Sequence, residues 1–273
     1  MLELLLHLAF MLALGSIVGF VGALLGLGGG FILVPLLITL FGFDAHQAVG
    51  TSIAAVMFTG AASAFAYFKQ RRLDWKLAII VESITMPGGL TGAYLTAFIS
   101  SNGLRMLFAF LLLGLAFSMI VRKEDGENYS DKQPITSHKF SWKRRLKDSY
   151  GRVFEYSVDL PKLLSVSYFT GVVSGFFGIG GGTLKVPILY HLGVPVHVAI
   201  ATSTLMITLT AFSGTLGHLM LQHIRWIELM GIVPGIVIGA RFGAATARRI
   251  ASKTLRRIFS IALIFMALIL LVR

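Results

Sequence analysis

Apolar positions run through this chain in long unbroken stretches rather than in alternation. Stretches at 4–25, 47–68, 77–99 and 255–272 come near the roughly 20 residues that a helix, rising about 1.5 Å per residue, needs to cross a hydrocarbon core. Strands of an outer-membrane barrel would alternate lipid-facing and lumen-facing positions, so the pattern predicts helices. Each half holds five segments: about 4–25, 30–42, 47–68, 76–99 and 104–121, then about 163–178, 182–193, 197–220, 226–247 and 255–272. The second of each set is a helix of only about 12 residues, about 18 Å long, and a glycine-rich break separates it from the first. A broken helix, or two half-helices folded into a hairpin, is expected there.

The two halves are copies. Gly26, Gly28, Gly29 and Gly30, followed by Val34 and Pro35, recur 152 positions later as Gly178, Gly180, Gly181, Gly182, Val186 and Pro187. His46, Thr51 and Ser52 recur 151 later as His197, Thr202 and Ser203, as do Trp75 in Trp226 and Arg105 in Arg256. Pro87, Gly88, Gly92 and Ala93 return 147 later as Pro234, Gly235, Gly239 and Ala240. Landmarks kept in one order across both halves mark a duplication. The chain divides into a first membrane repeat, 1–121, a basic linker, 122–162, and a second membrane repeat, 163–273.

The polar positions set the orientation. Lys69, Arg71, Arg72 and Lys76 follow the third segment of the first half, whereas Arg248, Arg249, Lys253, Arg256 and Arg257 follow the fourth segment of the second. The linker adds Lys143, Arg144, Arg145 and Lys147. Short basic loops stay in the cytoplasm, and all three regions do so only if the halves are inverted relative to each other, with both chain ends outside. Inverted repeats with broken helices meeting near the midplane are a recurring plan of secondary transporters. The linker is expected as a solvated loop, or as a helix lying on the membrane through Trp142, Tyr150, Phe154 and Tyr156.

Composition agrees. The 273 residues are 56% hydrophobic and 13% charged, with a mean hydropathy of +0.82, against roughly 25% charged for soluble domains. A net charge of +12 invites a nucleic-acid reading, but the basic residues sit in short runs between apolar segments, so nucleic-acid binding is excluded. There is no cysteine, hence no disulfide, thiolate metal site or cysteine nucleophile. Neither HExxH nor paired intramembrane carboxylates occur, so an enzyme, a metal site and a cofactor are not expected. The first segment lacks a basic lead-in and a small-residue cleavage site, and is read as a retained helix.

Within the apolar frame a few residues carry chemistry. Gly28, Gly29, Gly30 and Gly180, Gly181, Gly182 can unwind, expose N–H groups and aim helix N-termini at an anion, or let helices pack closely. Thr51, Ser52, Thr202 and Ser203 are candidates to donate hydroxyls to substrate, or to bond their own helix. Glu82 is an acid at membrane depth, which points to proton coupling; the alternative is that it reaches toward Lys76 or Arg72, or pairs with another buried cation. Lys185, where the first half has Leu33, is placed to attract an anion, as is Arg241, unless their stems carry the charge to the interface. His46 and His197 are interface residues or proton handlers. Pro87 and Pro234 are expected to kink their helices.

These blocks resemble the TauE/SafE family of membrane permeases, described as sulfite or organosulfur exporters. The carriers are the doubled Gly-x-Gly-Gly-Gly…Val-Pro and Ala-x-x-Thr-Ser blocks, Trp75 and Trp226, and the doubled Pro-Gly-x-x-x-Gly-Ala, over nearly all of 10–272 outside the linker. The resemblance implies a polytopic helical inner-membrane transporter that moves a small sulfur-containing anion, such as sulfite or a sulfonate. A passive anion channel, or carriage of another small anion such as a carboxylate, are the competing readings. The substrate anion, the lipid bilayer and protons are the expected partners; oligomeric state is not legible.

Overall fold

The computed structural model describes residues 2–121, 141–246 and 263–271; the basic stretch 248–257 and the linker's first part fall outside them. The described residues are all-α apart from one hairpin. In order come α1 (Leu2–Leu25), α2 (Gly30–Phe41), α3 (Ala45–Lys69), α4 (Trp75–Leu95), a 3-10 turn (Thr96–Phe98) and α5 (Ser101–Val121). Strands β1 (Ser141–Lys147) and β2 (Val153–Asp159) follow, then α6 (Leu160–Phe177), α7 (Gly182–His191), α8 (Val196–Met220) and α9 (Trp226–Thr246). Residues 263–271 are helical.

Among the described residues, α3, α6, α8, α9 and His7–Leu25 of α1 are long and apolar enough to cross a membrane. At 21 residues α4 is long enough too, but it carries Glu82 and Thr85, both buried against protein. The outward residues are apolar: Phe110, Phe117, Phe169, Ile227, Met230 and Phe242 are all exposed. An apolar exterior around buried polar groups is the pattern of a multi-pass membrane protein. The short second helices, 12 and 10 residues long, match the expected broken elements.

Glycine lets the halves interlock. Helix α6 of the second repeat lies against α4 of the first, because a Cβ on Gly88 or Gly92 would stand 2.3 or 2.0 Å from the carbonyl oxygen of Tyr168 or Val172. In the same way α9 lies against α1, with Gly239 and Gly243 at 2.0 and 2.2 Å from the carbonyls of Ser16 and Phe20. Such backbone approach is what small residues spaced by four provide in lipid. The packing register matches Gly88 with Gly239 and Gly92 with Gly243, 151 apart, so the Pro-Gly match at 147 is offset from it by one helical turn. Helices α3 and α8 run antiparallel at the centre: Gly50 meets His223, Ile53 meets Gly214, and Gly60 meets Thr208 and Thr204.

The linker departs from expectation. Its second part is neither a loop nor a surface helix but an antiparallel hairpin, with Ser141 opposite Asp159 and Lys147 opposite Val153. Phe154, Tyr156 and Val158 alternate inward and bury against Leu77, Val81, Leu163, Leu189 and Val198 from α4, α6, α7 and α8. Period-two burial of β-branched and aromatic residues is what a strand with one covered face requires. The hairpin's turn is tied to the end of α3, where Ser149 N and Oγ donate to the carbonyls of Gln70 and Lys69 at 3.1 and 2.9 Å.

Candidate functional site

The two glycine breaks meet each other. A Cβ on Gly30 would lie 2.4 Å from the carbonyl oxygen of Gly178, and one on Gly182 would lie 2.6 Å from that of Gly26. Gly28 and Gly180 have left-handed backbone, φ 84° and 71°, and their absent Cβ atoms would stand 2.9 and 2.3 Å from Val56. Val56 and its counterpart Ile207 thus cover both breaks, which are reached from opposite repeats. Gly29 and Gly181, also left-handed, occupy the N-cap positions of α2 and α7, so the leading N–H groups of both short helices have no acceptor within their helix.

The Thr-Ser pairs stitch each repeat to the other. Arg225 N, at the start of α9, donates to Thr51 Oγ1 at 3.0 Å. Asp74 N, at the start of α4, donates to Thr202 Oγ1 at 3.0 Å. Ser52 Oγ donates to the carbonyl of Gly178 at 3.1 Å and Ser203 Oγ to that of Gly26 at 3.2 Å. All four residues are fully buried. The pairs therefore flank the glycine junction on its two sides.

Glu82 and Lys185 come together. Lys185 Nζ donates to Glu82 Oε1 at 2.5 Å, to Thr210 Oγ1, and to the Met206 carbonyl at 3.4 Å. Thr210 Oγ1 in turn donates to Glu82 Oε2. The pair joins α4 of one repeat to α7 and α8 of the other, with Lys185 3% and Glu82 1% exposed. Glu82 therefore does not reach toward Lys76 or Arg72. Ser174 of α6 lies beside it: its hydroxyl is buried without a hydrogen-bond partner among the described residues, and sits 3.3 Å from where a Gly181 Cβ would be, as does Lys185 Cε. Arg241, by contrast, is exposed.

Two polar clusters close the ends. At the hairpin end, Arg144 grips Asp74 with two bonds of 2.7 Å and Tyr156 Oη adds a third at 2.6 Å, while Arg72 pairs with Asp148 at 3.0 Å. Burial alone would raise the Asp74 carboxyl, but the Arg144 and Tyr156 bonds outweigh it and hold it below the usual carboxylate range; Asp148 is held low likewise by Arg152 N–H and Arg72 against burial. At the other end, His218 Nδ1 and His223 Nδ1 lie 3.1 Å apart, His218 Nε2 meets the Gly175 carbonyl at 3.0 Å, and the His46 ring lies 5.1 Å from that of His223, tilted by 42°. Burial, then the neighbouring His46, push the His223 imidazole below its ordinary value, with Asp44 opposing. His46 is held by Asp44 and by the carbonyls of Thr96 and Ile99.

Thr210, Ser174, Asp74 and the His218–His223 pair escaped sequence reasoning. One signal was available for Ser174, as it was for Lys185 and Glu82: departures between the copies. Ser174 stands where the first repeat has Gly22 and Lys185 where it has Leu33, while Glu82 corresponds at 151 to Val233.

Comparison with known proteins places this geometry. A model of the family described as "Sulfite exporter TauE/SafE" matches residues 11–270. The probable membrane transporter protein YunE of Bacillus subtilis is 32% identical, over 93% of both chains. A probable membrane transporter protein of Methanocaldococcus jannaschii is 28% identical over 98% of this chain and 97% of its own, and YdhB of Bacillus subtilis, a third probable membrane transporter protein, is 27% identical over 86% of each. No solved structure matches the chain. A duplicated helical scaffold with paired glycine breaks, matched from end to end by membrane transporters, belongs to the TauE/SafE family.

Proposed function

We propose that this chain is a secondary transporter of the inner membrane that exports a small sulfur-containing anion, such as sulfite or an organosulfonate. Transport proceeds by alternating access between halves of inverted topology, with the hairpin and the 69–76 loop in the cytoplasm. The antiparallel crossing of equivalent helices α3 and α8 supports inversion, and the basic loops supply the orientation. The reading rests above all on Lys185, a cation buried at a glycine break on the seam between repeats. A charge is costly at that depth and is kept there for a substrate or ion path.

As the halves rock, the N–H groups of Gly28, Gly29, Gly30, Gly180, Gly181 and Gly182 and the hydroxyls of Thr51, Ser52, Thr202 and Ser203 leave their present partners and hold the anion, while Lys185 adds charge. Glu82 is the proton-coupling group. The two end clusters serve as gates: the Asp74–Arg144–Tyr156 knot on the cytoplasmic side, the histidines on the other. The test is flux of radiolabelled sulfite, methanesulfonate and acetate into proteoliposomes under an imposed pH gradient. Gradient-driven movement of the sulfur anions that Lys185→Gln abolishes is expected. Flux that follows only the anion's own electrochemical gradient, indifferent to proton and sodium gradients, would make the protein a passive pore instead.

A further inference from the structure

Building on the transporter reading above, we propose that the Glu82 carboxylate is a tethered stand-in for the transported anion, so that one singly charged oxyanion enters only when Glu82 has taken up one proton. The donors say so first. An ammonium group has three protons, and those of Lys185 are committed to Glu82, Thr210 and the Met206 carbonyl. A carboxylate already occupies the place where an oxyanion would bind.

Space gives the same answer. The cavity beside Lys185, lined by Ser167, Thr170 and Met206 among others, measures about 10 Å3, room for about one water molecule. A tetrahedral anion does not fit there in this state, so it reaches Lys185 Nζ only in place of the Glu82 carboxylate that Nζ now holds. Donors for it are then at hand: Lys185 Nζ, the Thr210 hydroxyl, and the Ser174 hydroxyl, which is fully buried and has no partner among the described residues. An unpartnered buried hydroxyl costs free energy in this state, a cost that a bound anion accepting from it would relieve in another state of the cycle.

Charge then fixes the substrate class. The pair is neutral as it stands. Adding a monoanion while Glu82 stays ionised leaves one uncompensated negative charge in a dry site, and such a state is heavily disfavoured. With Glu82 protonated, Lys185 and the monoanion sum to zero. A dianion would leave a net charge in either case, so hydrogen sulfite or an alkylsulfonate is selected over sulfate. The counterparts of Glu82, Lys185 and Ser174 in the opposite repeats, Val233, Leu33 and Gly22, cannot form a second such site, so one proton and one anion move together per cycle.

Proteoliposomes loaded with radiolabelled methanesulfonate or sulfate, with pH gradient and membrane potential set independently, test this. Expected for the unaltered protein are methanesulfonate flux at least tenfold above sulfate, no response to the potential, and a fall approaching tenfold per pH unit at alkaline pH, as one required proton dictates. Glu82→Gln should keep methanesulfonate flux but lose the pH-gradient dependence and become potential-driven. Ser174→Ala should weaken substrate affinity several-fold with electroneutrality intact. Potential-driven flux in the unaltered protein, or Glu82→Gln flux still driven by the pH gradient, overturns the stand-in role while leaving the transporter reading in place. The unaltered protein alone decides electroneutrality should a variant fail to fold. Absence of flux for any sulfur anion overturns the transporter reading and the inference with it.

Discussion

Replacing Lys185 by Met leaves Glu82 buried with Thr210 as its remaining contact. Removing one partner of a buried ion pair costs about 3–5 kcal/mol, whereas replacing both with apolar groups of similar volume is often neutral or stabilising. At roughly 2–4 °C per kcal/mol for a chain of this size, Lys185→Met should lower the melting temperature by roughly 6–20 °C. Glu82→Met should do the same by stranding the lysine, and the double variant should recover most of the loss. The coupling read from the cycle should then be about 3 kcal/mol or more. Thermal unfolding of detergent-purified protein, followed by size-exclusion fluorescence, measures all four corners. The double variant should melt near the parent yet carry no anion, which separates stability from function. Single variants that each cost under about 1 kcal/mol, with strictly additive effects, would refute the buried pair.

Three further outcomes follow from the packing and the gates. Gly92→Val should force α4 and α6 apart, since its Cβ would meet the Val172 carbonyl at 2.0 Å; overpacking of this kind costs about 1–3 kcal/mol or more, seen as a lower melting temperature, whereas Gly114→Val, with open space around it, should be silent. Asp74→Asn removes the charge that Arg144 and Tyr156 hold while an amide oxygen still caps Leu77 N, so the hairpin should become open to proteolysis with α4 intact by hydrogen exchange. The His223 imidazole is held below its ordinary value of about 6.5, so its share of closure at that mouth is present above that value and lost as pH falls through the depressed one. A cysteine at Gln222 should therefore react faster with maleimide at acidic pH, and His223→Gln should flatten the dependence.

Much of the scaffold was legible because membrane folds are dictated by apolar length, glycine breaks and basic loops. The short helices α2 and α7 start at the glycines that end each break, since a left-handed N-cap there excludes other residues. The duplication also located the Thr-Ser pairs, though not that Thr51 and Thr202 receive N–H groups from the opposite repeat, a contact spanning more than 100 positions that no local pattern encodes. The hairpin was missed because lysines and arginines dominate β1, and its inward alternation of Phe154, Tyr156 and Val158 is short enough to be masked by the surrounding charge. Glu82 and Lys185 were each visible as polar oddities. Their pairing was not, because it depends on α4 packing beside α7 and α8, a consequence of the interlocked repeats. The differences between copies carried more information about the site than the similarities did.

Arg71 and Gln222 occupy equivalent turns, both exposed and both with left-handed backbone, φ 54° and 57°. The chain has no cysteine, so a single cysteine placed at either position reports alone. In intact cells and in inside-out vesicles, a membrane-impermeant maleimide should label position 71 only from the cytoplasmic face and position 222 only from the opposite one. Labelling of both from the same side would contradict inverted repeats, and with them the exchange of shapes on which alternating access depends.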